Sequence, residues 1–355
     1  MRNLLKSMVL VLCLVLLVTA CGNNNEPAAS SSSAASPAAA SPSEAAVTDL
    51  PPPEKTKLVM RLNWKIKGEF VPFIVAKENG IFKKYGLDVD VFEGAGSVKT
   101  MQSVAQGTDD FGVTSSIEPM QGIEQGIKIK MIASYMTKSP LLVISYPDNP
   151  IKSPKDMEGK KVGTSANSVF AAIFDKLVST NDADPSKAEL VKVDDAAKNN
   201  LFMSKELDGI EVFATNEYPF FEDKLGIKLE TMYTADFGFD IAGLMLIASD
   251  EFLAANPNTT KRFIAAVSEG YRYSFEHPEE AAAIAKKVFP EAIDEKLTIE
   301  QIKRTHELAD FTGKPYGWID ESNLDTTASG LLATGLIESK KDISEYYTNE
   351  YITDK

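Results

Sequence analysis

Apolar positions along this chain fall into short runs of period two, separated by stretches with helical spacing. In the segment LVMRLNWKIKGEFVPFIVAKENGIFKKYGLDVDVF, residues 58–92, Leu58, Met60 and Leu62 alternate with Val59, Arg61 and Asn63. That is the period of a strand, and its apolar density suits a buried parallel one. A loop opens at Asn63 and Trp64, and Pro72 fits the first turn of a helix whose buried side is Phe73, Ile74 and Ala76. Gly80 fits a left-handed terminator, and residues 87–92 form a second strand. In such a βαβ start, ligands gather at the carboxyl ends of the strands, where Trp64 and Gly94 both fall.

The alternation continues. Gly94 to Gly107 reads as a glycine turn with Ser97 as N-cap of a helix, followed by short strands ending at Thr114 and Ser134. Ser115, Ser116 and Tyr135 lie just beyond those ends. A further strand spans 141–145, and a second set begins with the strand 161–164 and the loop TSANS. That loop leads through Asn167 and Ser168 into a helix over 169–178. The strand 190–193, a helix through Phe202, and strands over 209–213 and 227–232 follow. A strand over 241–248 returns the chain to the first set. Helices then start at Pro257, Pro278 and Thr298, and the segment 321–336 ends the fold. Two crossings between two α/β sets make a hinge, the geometry of ligand-driven closure.

The ends change the picture. Arg2 and Lys6 precede an apolar run over 8–18 that is short for a bilayer span and shaped like a signal peptide. Val18, Thr19, Ala20 and Cys21 read as a lipobox, so cleavage before Cys21 and lipidation of its thiol are expected, an ordinary secreted protein being the alternative. Residues 21–53, rich in Ser, Ala and Pro, cannot bury enough surface to fold and read as a tether of roughly 30 Å reach. The rest is large for one core. It divides into lobe one, 54–146 plus 237–355, and lobe two, 147–236. Without Arg2 and Lys6, 35 basic residues face 51 acidic ones, a charge of −16 that argues against a nucleic-acid partner.

Three stretches carry a family resemblance: LNW followed by VAKENGIFKKYGLDVDV; VAQGTDDFGVTSS; and ATNEYPFFEDKLGIKLETMYTADFGFDIAG. They resemble the solute-binding proteins of bacterial ABC importers for thiamine-precursor pyrimidines, riboflavin, alkanesulfonates and nitrate, nearest the pyrimidine and riboflavin branch. The resemblance covers residues 58 to about 290. It implies an α/β fold of two doubly wound lobes joined by a two-crossing hinge, the type II periplasmic-binding-protein architecture. It also implies a small-molecule ligand, permease and ATPase partners, and a lipid-anchored place on the outer face of the cell membrane.

Chemistry narrows the function. The body beyond Cys21 has two histidines, His277 and His306, and no cysteine, so no catalytic set, metal site or cofactor is expected. A related branch makes the thiamine pyrimidine from its own histidine beside a cysteine-rich motif. The position six residues after Trp64, where many relatives carry His, is Phe70, and the cysteine motif is missing. Binding fits better. Trp64 offers a face for a heteroaromatic ring, with Phe70, Tyr135, Tyr218 and Phe237 as further candidates. Asn216 and Glu217 are placed to read polar edges, and Gly94, Gly96, Ser97, Ser115, Ser116, Asn167 and Ser168 to offer amide and hydroxyl donors. Only Arg61, Arg262, Arg272 and Arg304 remain beyond the signal segment, and anion capture usually recruits arginine. A neutral or weakly cationic ring is therefore preferred, with sulfonate, taurine or nitrate next. Synthase and sensor roles stand behind both.

Overall fold

The computed structural model describes residues 49–165 and 168–353. The signal segment, Cys21, the tether to residue 48, and Asn167 lie outside the described residues. A first unit, Met1–Ser43, is wholly among them; all that follows concerns the second, Glu44–Lys355.

In chain order the elements are β1 (Lys57–Arg61), α1 (Val71–Glu78), α2 (Ile81–Lys84), β2 (Asp88–Phe92), α3 (Ser97–Ala105), β3 (Phe111–Thr114), α4 (Ile117–Glu124) and β4 (Ile129–Ser134). Next come β5 (Leu141–Ser145), β6 (Lys161–Ser165), α5 (Val169–Ser179), β7 (Glu189–Val193), α6 (Asp195–Met203), β8 (Gly209–Phe213), α7 (Glu217–Leu225) and β9 (Glu230–Tyr233). After β10 (Met245–Ser249) the chain is helical: α8 (Asp250–Ala255), α9 (Pro257–Glu276), α10 (Pro278–Val288), α11 (Glu295–Glu307) and α12 (Glu321–Ala333).

The strands form two five-stranded sheets with one plan, β2-β1-β3-β10-β4 and β7-β6-β8-β5-β9. In each, three parallel strands are followed by one antiparallel strand that enters from the other lobe, β10 in the first and β5 in the second. The strand over 141–145, counted with lobe one by sequence, thus belongs to the second sheet, and the crossing lies before Leu141. A strand buried along its whole length carries no mark of which sheet it joins. The returning strand is also shorter than expected. Residues 241–244 are a hinge crossing rather than strand, paired with the other crossing through Gly243 N–H to the Met136 carbonyl and Tyr135 N–H to the Leu244 carbonyl.

The first sheet is covered by α1 and α9. Phe111 stacks on Phe263 at 3.9 Å, and Tyr135 stacks on Tyr271 at 4.2 Å. α1 is buried along Val71–Ala76, on every side and not on one stripe, because it is held between sheet and helix. α11 begins earlier than the sequence suggests. Asp294, not Thr298, caps it by accepting from Leu297 N–H. α11 also leaves lobe one and meets α7 of lobe two through Lys296–Asp223 and Arg304–Glu222. α12 clasps the hinge: Asn323 Nδ2 donates to Asp240 Oδ2, whose other oxygen accepts from Ser139 N–H.

Candidate ligand-binding cleft

The carboxyl ends of the parallel strands of both sheets face one another across the hinge. On the lobe-one side, the loop after β1 is fixed by its backbone. Gly94 N–H donates to the Trp64 carbonyl at 3.1 Å and Gly96 N–H to the Asn63 carbonyl at 2.7 Å. Gly94 packs so tightly that a Cβ there would lie 1.9 Å from the Leu62 carbonyl oxygen, and Gly96 has φ +113°, which favours glycine. Glu93 closes the loop by accepting from Ile66 N–H at 2.8 Å and from Lys65 Nζ, and these hold its carboxyl below the usual range. Trp64 is left 50% exposed at the rim.

Ser97 is not the N-cap of α3; Gly96 holds that position, and Ser97 is the first helical residue. Its Oγ instead accepts from Asn63 Nδ2 at 3.1 Å and from Ser115 N–H at 3.2 Å, tying three strand ends together. This orients the Asn63 side chain and leaves its Oδ1 buried with no partner among the described residues.

The lobe-two side is built from side chains. Asp195 and Asn199 sit one turn apart on α6 and so share a face. The Ser165 hydroxyl donates to Asp195 and holds that carboxyl low. Behind them, Lys198 and Glu211 form a buried ion pair at 3.3 Å. The Asn199 Oδ1 is a second buried amide oxygen without a partner among the described residues. Phe213, the last residue of β8, projects into the cleft 43% exposed, and its N–H is held by Glu217 at 3.1 Å.

Two linked cavities result. The outer one, of about 420 Å³, is lined by Asn63, Trp64, Lys67, Glu69, Gly96, Ser97, Asp195, Asn199, Phe213, Asn216 and Glu217. The inner, of about 120 Å³, lies against the hinge and shares Asn63, Glu69 and Phe213 with it. Glu69 is one point where the lobes touch: its Oε2 accepts from the Thr215 hydroxyl at 2.6 Å. Burial raises its carboxyl, and nearby Glu217 adds to that, against the pull of Thr215 and Lys67. Gln301 spans the same gap, accepting from Gly68 N–H at 2.9 Å and reaching Asn216 at 3.4 Å.

The cavities therefore gather Trp64, Gly96, Ser97, Ser115, Asn216 and Glu217 from among the residues singled out by sequence. Others take different places. Phe70 is fully buried in the core and Tyr135 is locked on Tyr271 with its hydroxyl near Ser268, so neither presents a ring to the cleft. Ser116 pins the hinge by donating to the Ala242 carbonyl. Ser168 caps α5 by accepting from Ala171 N–H. Gly94 shapes the Trp64 loop, Tyr218 lies under Arg304, and Phe237 packs on a buried apolar cluster that includes Leu177, Met232 and Ile241. Sequence reading missed Glu69, Lys67, Asp195, Asn199 and Phe213. Phe213, at the carboxyl end of β8, and Asp195, just past that of β7, carried a positional signal.

The lining is rich in acceptors: the carboxylates of Glu69, Asp195 and Glu217 and the amides of Asn63, Asn199 and Asn216 stand beside one lysine, Lys67. Among the described residues no arginine lines it. Arg61, the nearest in sequence, is held by Asp109 through Nε and Nη2 at 2.6 and 3.0 Å. His306, on α11, stacks on Phe275, and His277, at the junction of α9 and α10, lies against Tyr273, both away from the cleft lining.

A family model described as NMT1/THI5 like matches residues 67–281, more than half of the chain. The riboflavin-binding protein RibY of Chloroflexus aurantiacus is 22% identical over 298 residues, covering 80% of this chain and 82% of that one. A 4-amino-5-hydroxymethyl-2-methylpyrimidine phosphate synthase of Legionella pneumophila is 24% identical over 305 residues, covering 84% and 93%. Among solved structures, the periplasmic aliphatic sulphonate binding protein SsuA from Escherichia coli superposes with a TM-score of 0.66 at 13% identity, covering 85% of this chain and 94% of that one. The last likeness speaks for the fold alone: two α/β lobes of the periplasmic-binding type.

Proposed function

Because the chain belongs to the NMT1/THI5-like family, we propose that it is an extracytoplasmic solute-binding lipoprotein of an ABC importer. It traps a small heteroaromatic metabolite, a pyrimidine or flavin-like ring, by closing its two lobes. It passes that ligand to a permease driven by ATPase subunits, and it is held at the membrane through Cys21. It is not an enzyme in this reading, since the position that would supply a pyrimidine synthase with its histidine is the buried Phe70.

The observation that carries the ring reading is the pairing of Trp64 from lobe one with Phe213 from lobe two. Both are about half exposed and both line one cavity. Aromatic faces left in water on two facing walls are suited to sandwiching a flat ring as the lobes approach. The orphaned Asn63 and Asn199 oxygens favour a ring edge bearing N–H groups, because each regains a hydrogen bond only when such a donor arrives. Names among the relatives, a riboflavin-binding protein and a pyrimidine synthase, agree with this class.

A second reading, an anion such as a sulfonate or nitrate, draws on Lys67 and on the amino-terminal ends of α3 and α5 at the cleft. Fluorescence separates the two. With Trp318→Phe, Trp64 is the only tryptophan reporter. Saturable quenching by riboflavin or an aminopyrimidine, confirmed by calorimetry, supports the ring reading. A response to taurine or nitrate alone replaces it with the anion.

A further inference from the structure

We propose that α11 is a latch that sets the balance between open and closed lobes, with Lys296 and Arg304 as positioning residues that act on the ligand only through α7. This rests on the lobe-closure part of the reading above and is independent of whether the ligand is a ring.

The helix is mounted on lobe one. Gly68, between the cleft residues Lys67 and Glu69, lies so close that a Cβ there would stand 2.2 Å from Gln301 Cβ, and its N–H donates to Gln301 Oε1 at 2.9 Å. His306 stacks on Phe275 of α9 at 4.4 Å, and Lys303 pairs with Glu279 of α10 at 3.3 Å.

Other side chains of the same helix cross to lobe two. Lys296 reaches Asp223 at 2.5 Å, and the Arg304 guanidinium lies 4.9 Å from the Tyr218 ring with Glu222 at 3.8 Å. Gln301 Nε2 is 3.4 Å from both the backbone and the side-chain oxygen of Asn216. All four partners belong to α7 or its N-cap, and that end of α7 carries Asn216 and Glu217 into the cleft. The receiving surface is fixed within lobe two: Glu222 accepts from the Tyr218 hydroxyl at 3.1 Å, from Leu229 N–H at 3.2 Å and from Lys228 Nζ at 2.9 Å.

Partly exposed ion pairs are individually weak and are screened by salt, which suits a contact that must be made and broken at each cycle. A contact that spans the lobes is lost when they part. Its free energy must therefore appear either in the open-to-closed balance of the ligand-free protein or in the apparent affinity. Neither Lys296 nor Arg304 lines the two cavities, so different ligands should feel the latch equally.

The test uses the full chain in detergent with Trp318→Phe, so that Trp64 reports from the cavity between the lobes. Riboflavin, 4-aminopyrimidine, taurine and nitrate are titrated by calorimetry, and acrylamide quenching of Trp64 is measured without ligand. In Arg304→Met we expect binding about threefold weaker, the size for a partly exposed ion pair, with the ratio between any two probes unchanged, or else stronger quenching of the ligand-free protein. Lys296→Asp, at an exposed position, should shift the same readout in the same direction, and Lys296→Asp/Asp223→Lys should restore it. Raising salt to about 0.5 M should imitate the variants in wild type and add little in Arg304→Met/Lys296→Met. The latch is overturned if neither readout moves in either single variant, if the charge swap fails to restore it, or if two probes change by different factors. If none of the probes binds, the importer reading fails on its own, and the quenching alone decides the latch, unchanged quenching overturning it.

Discussion

On the lobe-one side of the cleft, the loop carrying Asn63 and Trp64 is fixed by backbone bonds to Gly94 and Gly96. On the lobe-two side, Asp195 and Asn199 stand on the buried Lys198–Glu211 pair. Both walls grow from the same sheet plan, at corresponding strand ends. Their rigidity has different sources. A wall set by backbone contacts leaves no room for a Cβ but is indifferent to charge. A wall set by a buried ion pair tolerates small steric changes and fails when one charge is removed. Equivalent positions in two halves of one fold thus need not share a sensitivity.

The largest expected effect tests the charged wall. Lys198→Met strands Glu211 beside a buried carbonyl with no cation, and should cost about 3–5 kcal/mol in denaturant unfolding. The double change Lys198→Met/Glu211→Gln should recover most of that loss. A single-variant cost below about 1 kcal/mol would mean the pair is solvated and the contrast between the walls is wrong.

Next come two glycines, Gly94 in the loop after β2 and Gly163 inside β6. Gly94→Ala drives a Cβ to 1.9 Å from the Leu62 carbonyl oxygen, whereas Gly163→Ala on β6 meets the Leu207 side chain at 2.5 Å. A carbonyl fixed in the β1 loop cannot swing aside, but a leucine methyl can. We expect about 3 kcal/mol for Gly94→Ala and about 1 kcal/mol for Gly163→Ala by thermal unfolding. Equal costs would erase the distinction.

How far the sequence reveals this depends on the kind of contact. Strand periodicity and the carboxyl-end rule located Trp64, Ser97 and Ser115, and the glycines around 94–96 announced a close backbone approach. Depth was not legible. Phe70 lies six residues past Trp64 in the same loop, yet one ring is in water and the other in the core, and nothing in the local pattern distinguishes them. The roles of Asn199 and Glu69 exist only once two lobes face each other, so no local window contains them. Ser97 shows the intermediate case: it was recognisable as a helix start, but its hydroxyl serves Asn63 and Ser115, which other strands supply.

Binding sharpens the comparison at a smaller scale. Trp64→Ala and Phe213→Ala each remove one face of the sandwich, and each should weaken a bound ring about tenfold, close to 1.4 kcal/mol, in calorimetric titration. Trp64 stands on the backbone-fixed loop and Phe213 on a strand end whose N–H is held by Glu217. Glu217→Ala should therefore reduce the contribution of Phe213 and leave that of Trp64 intact. A double-mutant cycle showing Glu217 coupled to Trp64 instead would mean the two walls are not independent.

The smallest effect lies where the walls meet. Burial holds the Glu69 carboxyl above its ordinary value of 4.5, with the Glu217 carboxylate reinforcing it. Its folded value exceeds its unfolded one, so the folded protein holds that proton more tightly. The contribution to stability is present in full below about 4.5 and is lost as pH rises through the elevated value. Glu69→Gln lacks this term at every pH. The melting temperature of the wild type minus that of Glu69→Gln should fall as pH is raised from about 4 to about 8. In Thr215→Val the lobe-two hydroxyl that stabilises the ionised carboxylate is gone, so the raised value climbs further and the fall moves to higher pH. A difference that stays flat across the range, or a Thr215→Val profile identical to wild type, would show Glu69 titrating as a solvated surface acid, untouched by the opposite lobe.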